Sequence, residues 1–221
     1  MKTKSISINV SSSIGKVSAK YVPPQNTKCV MTLAHGAGAG MDHSFMNGIA
    51  EQLAGHGIAT LRFNFPYIEA GKRRPDVPAV AHKAIGAAIQ KVQDLEPTLP
   101  IFSAGKSFGG RMTSQFLSQS SSDIVRGIVF FGFPLHAPGK PSIDRATHLK
   151  NIRLPMLFLQ GSRDTLATMD LVKQVVSSLH NATLIEFEGA DHSFKAGKNN
   201  NIENLAKSTS EWVDSILNDT R

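Results

Sequence analysis

One stretch, Leu99-Pro-Ile-Phe-Ser-Ala-Gly-Lys-Ser-Phe-Gly-Gly-Arg111, limits the fold more than any other part of the chain. An apolar run breaks at glycine, presents Ser107 and resumes as a helical pattern, which reads as strand, sharp turn, helix. Within it Gly105-Lys106-Ser107-Phe108-Gly109 fits G-x-S-x-G, the pattern that puts a serine on a strained turn with its hydroxyl above the sheet edge. Glycines at both ends of the motif let the turn close where a Cβ would clash, and the serine falls in sparsely allowed φ/ψ space. The helix that follows aims its N-terminal amides at whatever Ser107 attacks. A rival reading of Ala104-Gly105-Lys106-Ser107 is the back half of a phosphate-binding G-x-x-x-x-G-K-[ST] loop. It fails at the front, where Pro100 stands in place of glycine and apolar Ile101 and Phe102 occupy the cradle.

Strand and helix signals alternate through the rest of the chain. Residues 5–10 and 17–22 alternate as an edge hairpin, Lys28–Ala34 is a continuous apolar run suited to a strand covered on both faces, and Ile58–Phe63 reads as the next buried strand. Ser44 is placed to cap a helix running to Gly55, and 64–78 reads as a loop. Val80, Ile85, Ala88, Ile89, Val92 and Leu95 recur at helical spacing. After the Ser107 turn and its helix to Gln119 come strands at 126–131, 155–160 and 182–187, and helices at 168–179 and about 202–217. The 132–154 connection is too short for a large cap domain. This order implies a mostly parallel sheet with helices on both faces and ligands at the carboxyl ends of the strands. A length of 221 residues fits one domain, 1–221.

A serine hydroxyl needs a histidine base and a group that orients the histidine. Leu154–Asp164 is a buried strand ending in a turn that presents Asp164, and Phe187-Glu-Gly-Ala-Asp-His-Ser-Phe194 presents His192 after the last strand. Both lie past the carboxyl end of a strand, at the same sheet edge as Ser107, and the order Ser, Asp, His fits an α/β-hydrolase arrangement. Asp170 and Asp144 are fallback acids, while Asp191 is expected to face solvent.

Together, His35-Gly-Ala-Gly38, Gly105-Lys-Ser-Phe-Gly-Gly-Arg111, Phe131-Gly-Phe-Pro-Leu-His-Ala-Pro-Gly-Lys140 and Gln160-Gly-Ser-Arg-Asp164 resemble a small α/β-hydrolase from about residue 5 to 218. More closely, these motifs resemble the dienelactone-hydrolase-like branch that includes testis-expressed and chromatin-complex relatives. It implies the α/β-hydrolase fold and ester-type hydrolysis, with serine where dienelactone hydrolases proper use cysteine. It further implies Ser107 as nucleophile, His192 as base and then acid, Asp164 as its orienting partner, and the backbone amides of Ala37 and Phe108 as oxyanion donors. Gly36 and Gly38 let the Ala37 loop turn inward, Gly105 and Gly109 shape the elbow, and His35 is expected to support the loop from below. Phe65, Tyr67, Phe133 and Leu135 follow strands on this edge and are expected to line the pocket entrance.

Other classes fit less well. His35-Gly-Ala-Gly-Ala-Gly40 lacks the last glycine of a dinucleotide fingerprint, since residue 41 is Met41, and no acid ends the next strand. No histidine spacing suggests a metal, and no cofactor is expected. The net charge of +7 is spread along the chain, and its only dense cluster, Lys72-Arg73-Arg74, has no interleaved aromatics, so a solvated loop is favoured over nucleic-acid binding. No apolar run approaches the roughly 18 residues of a membrane span, and Met1–Val10 alternates instead of running apolar like a signal peptide. The lone Cys29 sits in an apolar strand as a structural thiol, compatible with a cytoplasmic protein. The expected partner is a small ester or thioester. The competing reading is a non-catalytic interaction module that keeps the fold.

Overall fold

The computed structural model describes residues 3–120 and 123–219. Its central sheet has eight strands: β1 (Lys4–Ser11), β2 (Gly15–Val22), β3 (Cys29–Ala34), β4 (Ile58–Phe63), β5 (Ile101–Lys106), β6 (Val125–Phe131), β7 (Met156–Gly161) and β8 (Ala182–Phe187). They lie in the order β1-β2-β4-β3-β5-β6-β7-β8. The β1–β2 and β2–β4 pairs are antiparallel; every later pair is parallel. The burial patterns follow from position. Strands β3, β4 and β7 are buried at every residue because helices cover both faces, whereas the edge strands β1 and β8 are largely open to solvent.

Two apolar layers sandwich the sheet. On one face α1 (Ser44–Gly55) and α6 (Ile202–Asp219) pack Phe45, Ile49, Leu53, Leu205, Trp212 and Val213 against the sheet. On the other lie α3 (Pro78–Leu95), α4 (Phe108–Gln119) and α5 (Met169–Ser177). The buried face of α3 is Ala81, Ala84, Ile85, Ala88, Ile89 and Val92, small or branched residues at i, i+3, i+4 spacing. Pro78 starts this helix, where a missing N–H and fixed φ cost nothing, and Pro97 follows its end.

Several local expectations are corrected. Ser44 is the first helical residue of α1, and its cap is His43, whose Nδ1 accepts from Phe45 N–H at 3.2 Å. The 64–78 loop contains a short helix, α2 (Pro66–Glu69), and the 132–154 connection contains a 3₁₀ segment, Asp144–Asn151. Residues 195–196 and 199–200 pair as a small antiparallel ladder that the sequence reading left out. Lys72, Arg73 and Arg74 are exposed. Among the described residues no helix is long and apolar enough to cross a membrane. The architecture is a mostly parallel eight-stranded sheet with helices on both faces, and among the described residues no large cap is inserted in it.

Candidate active site

The chain turns sharply between β5 and α4. Ser107 has φ 52° and ψ −115°, a conformation that non-glycine residues rarely adopt. A Cβ at Gly105 would overlap the backbone of Gly109 and Gly110, and one at Gly109 would overlap the Ala34 and His35 carbonyls. With those clashes absent the turn closes, and the Ser107 N–H donates to Phe131 O at 3.2 Å.

Ser107 Oγ lies 2.9 Å from His192 Nε2, and His192 Nδ1 lies 2.6 Å from Asp164 Oδ2. Since a carboxylate only accepts, Nδ1 carries the proton and Nε2 is left to accept from the serine hydroxyl. The Asp164 side chain is fully buried, that of His192 24 % exposed. A buried carboxylate without partners would cost several kcal/mol. Here it is met by three donors: His192, Gln160 Nε2 at 2.6 Å and Leu166 N–H at 2.8 Å. Asp170, in the first turn of α5, and Asp144, at the 3₁₀ segment, do not take this position. Asp191 is exposed, and its Oδ1 accepts from Ser193 and Lys195 N–H at 2.8 and 3.0 Å, shaping the His192 loop.

The loop after β3 lies against the elbow: a Cβ on Gly36 would stand 3.8 Å from Ser107 Cβ. Gly38 has φ +72°, so this position favours glycine, whereas Gly36 has a negative φ and room for a methyl. Beneath the loop, buried His35 donates from Nδ1 to Gly36 O (2.8 Å) and accepts at Nε2 from Phe65 N–H (3.1 Å). Burial lowers its pKa to about 4, so it stays neutral as this pairing requires. Among the described residues, neither Ala37 N–H nor Phe108 N–H has a hydrogen-bond acceptor in the protein; Phe108 opens α4, where no earlier turn supplies one.

The expected pocket wall is corrected. Phe65, Tyr67, Phe133 and Leu135 are all at most 2 % exposed and belong to the core. Their segments turn inward because they brace the loops above. Tyr67 Oη accepts from Gly38 N–H at 3.2 Å, Phe65 packs on His35 and Phe108, and Phe133 N–H donates to Gln160 Oε1 at 2.9 Å. The cleft over Ser107 has a volume of about 560 Å³ and is walled instead by Ala37, Phe45, Met46, Leu166, His192 and Ile202. Sequence reasoning also missed Gln160, whose signal was a lone glutamine inside a buried strand, and Lys106. A larger groove of about 1060 Å³ beside β1, α3 and α4 contains none of these groups. Cys29 is fully buried, which pushes its thiol pKa up to about 12, so it stays a structural residue.

Residues 27–218 match the α/β-hydrolase domain family. Similar solved structures include a dienelactone hydrolase from Anabaena variabilis, with 20% identity, 97% of each chain covered and a TM-score of 0.79. The esterase domain of a Rhodothermus marinus protein aligns over 96% of this chain and 98% of its own at 14% identity and a TM-score of 0.73. A serine hydrolase without a lid from Xanthomonas campestris aligns over 97% and 95% at 18% identity and a TM-score of 0.74. With the family match spanning most of its length and the sheet order described above, this chain belongs to the α/β-hydrolase family.

Proposed function

We propose that the protein is a serine hydrolase that cleaves a carboxylic ester or thioester through an acyl-enzyme, acting as one domain over residues 1–221. The observation that carries this reading is the unbroken hydrogen-bonded chain from Ser107 Oγ through His192 to Asp164 Oδ2, at 2.9 and 2.6 Å, with its serine in an open cleft. In the first step His192 Nε2 takes the hydroxyl proton as Ser107 Oγ attacks the substrate carbonyl. Asp164 holds the imidazole in the required tautomer and stabilises the imidazolium. The carbonyl oxygen gains negative charge and is received by the N–H groups of Ala37 and Phe108; each such donor typically contributes about 3 kcal/mol. The imidazolium then protonates the leaving alkoxide or thiolate, leaving Ser107 acylated. Water, deprotonated by His192, attacks the acyl carbonyl, and return of the proton to Ser107 releases the acid. No step needs a cofactor.

A cleft without a large cap suits small or flexible substrates. Steady-state turnover of ester and thioester panels with short and long acyl chains tests the reading. Short chains are expected to be cleaved best, with Asp164→Asn folded and roughly 10⁴-fold slower. Strong preference for long acyl chains, or an Asp164→Asn loss below tenfold, would contradict it.

A further inference from the structure

Lys106 stands between the elbow glycine and Ser107, yet the proton route through His192 does not use it. Its ammonium lies 2.5 Å from the backbone carbonyl oxygen of His192 and sits over the rings of Phe45 and Phe194, 5.7 and 5.3 Å from their centroids. A lysine ammonium is costly to take out of water, so it needs compensation where it is enclosed. Here a carbonyl dipole and two aromatic faces supply it. Gly132, which closes β6, leaves the space: a Cβ there would come within 3.2 Å of Lys106 Nζ and 3.5 Å of the His192 ring.

The His192 loop is otherwise fastened at its ends. Arg163 N–H holds Ala190 O at 2.9 Å, Asp191 caps the amides of Ser193 and Lys195, and Asn201 Nδ2 holds Phe194 O at 3.0 Å. Phe194, buried with φ 62°, makes the turn after the histidine. The carbonyl of His192 points inward, and Lys106 is its donor. Consecutive residues of the nucleophile turn therefore grip both ends of the histidine: Ser107 Oγ at the imidazole and Lys106 Nζ at the backbone.

We infer that Lys106 is a positioning residue, whose ammonium clamps the His192 backbone to the nucleophile turn and sets the height of the imidazole over Ser107. Its kinetic consequence rests on the serine-hydrolase reading; the clamp itself does not. The charged and titratable groups around it are Asp164, Asp191 and His192, with His43 and Lys195 lining the same cleft. Burial lowers the lysine pKa to about 8, opposed by Asp164 and Asp191. Below that pH the full charge holds the carbonyl; above it the neutral amine donates a weaker hydrogen bond and loses its attraction to the rings.

The test compares wild type with Lys106→Met, which keeps the apolar stem, and with Lys106→Cys before and after alkylation by 2-bromoethylamine, which rebuilds a lysine-like ammonium. The readouts are the rate of Ser107 labelling by a fluorophosphonate from pH 6 to 10, melting temperature, and amide hydrogen exchange of residues 188–194. For Lys106→Met we expect labelling slowed by roughly 10- to 100-fold, as follows small misplacements of a catalytic group. We also expect faster exchange in the loop, a nearly unchanged melting temperature, and loss of the decline in rate that wild type shows above about pH 8. Alkylated Lys106→Cys should recover most of the rate. Wild-type labelling, pH profile and exchange in Lys106→Met would overturn the clamp. If wild type itself does not react with the probe, the hydrolase reading falls and exchange alone decides: faster exchange in the variant upholds the clamp, and unchanged exchange overturns it.

Discussion

Gln160 and Asp164 are joined by a buried hydrogen bond of 2.6 Å, from the glutamine amide to the same carboxylate oxygen that His192 approaches. The orientation of that amide is fixed from its other end, where Oε1 accepts from Phe133 N–H at 2.9 Å. Strand β7 therefore carries, at Gln160, the group that aims the Asp164 carboxylate in the turn just beyond the strand's end. Hydrogen bonds to a charged group contribute about 1.5–3 kcal/mol, so Gln160→Leu should lower kcat by roughly 10- to 100-fold with KM little changed. Esterase kinetics on the purified variant check this, and an unchanged kcat would show that Leu166 N–H and His192 suffice to orient Asp164.

The elbow leaves no room at Gly109, where a Cβ would overlap the Ala34 carbonyl oxygen in the middle of the sheet. Both partners are backbone, so neither yields cheaply. Gly109→Ala should cost at least about 4 kcal/mol, at the severe end of single substitutions. Thermal melting is expected to show a strongly lowered transition or no folded protein, whereas a melting temperature within a few degrees of wild type would contradict the packing described.

Burial holds His35 neutral, with its pKa lowered from 6.5 to about 4. The unfolded chain takes up a proton that the folded chain refuses, so this stability is present above pH 6.5 and lost as pH falls towards 4. The full loss is on the order of 3 kcal/mol. His148, whose pKa is also lowered to about 4 by burial, adds to the loss over the same range. Melting temperatures from pH 7 to 4 should fall more steeply for wild type than for His35→Gln, which retains an acceptor for Phe65 N–H but cannot charge. Parallel pH profiles would show that His35 does not carry the acid sensitivity.

Much of the fold was legible because its signals are local and repeated. The continuous apolar run at Cys29–Ala34 and the mainly apolar Ile58–Phe63 mark strands covered on both faces, and G-x-S-x-G marks the turn between β5 and α4. The meeting of Ser107, Asp164 and His192 could be anticipated because each follows a strand of one parallel sheet, so its topology carries them to one edge. The cleft wall was not legible. Phe65, Tyr67, Phe133 and Leu135 follow strands on that edge too, but whether a loop residue faces in or out depends on the next element to pack on it. Phe45, Met46 and Ile202 take the wall from helices whose placement no local pattern reveals. Lys106 was hidden for the same reason: its partner carbonyl is 86 residues away in sequence.

The central claim is that Ser107 is an activated nucleophile, and intact-mass analysis after fluorophosphonate treatment tests it without knowledge of the substrate. The account predicts one adduct on wild type, mapped to Ser107, and none on folded Ser107→Ala or His192→Ala. A folded wild-type protein that gains no adduct in excess probe would contradict it and favour the interaction-module reading.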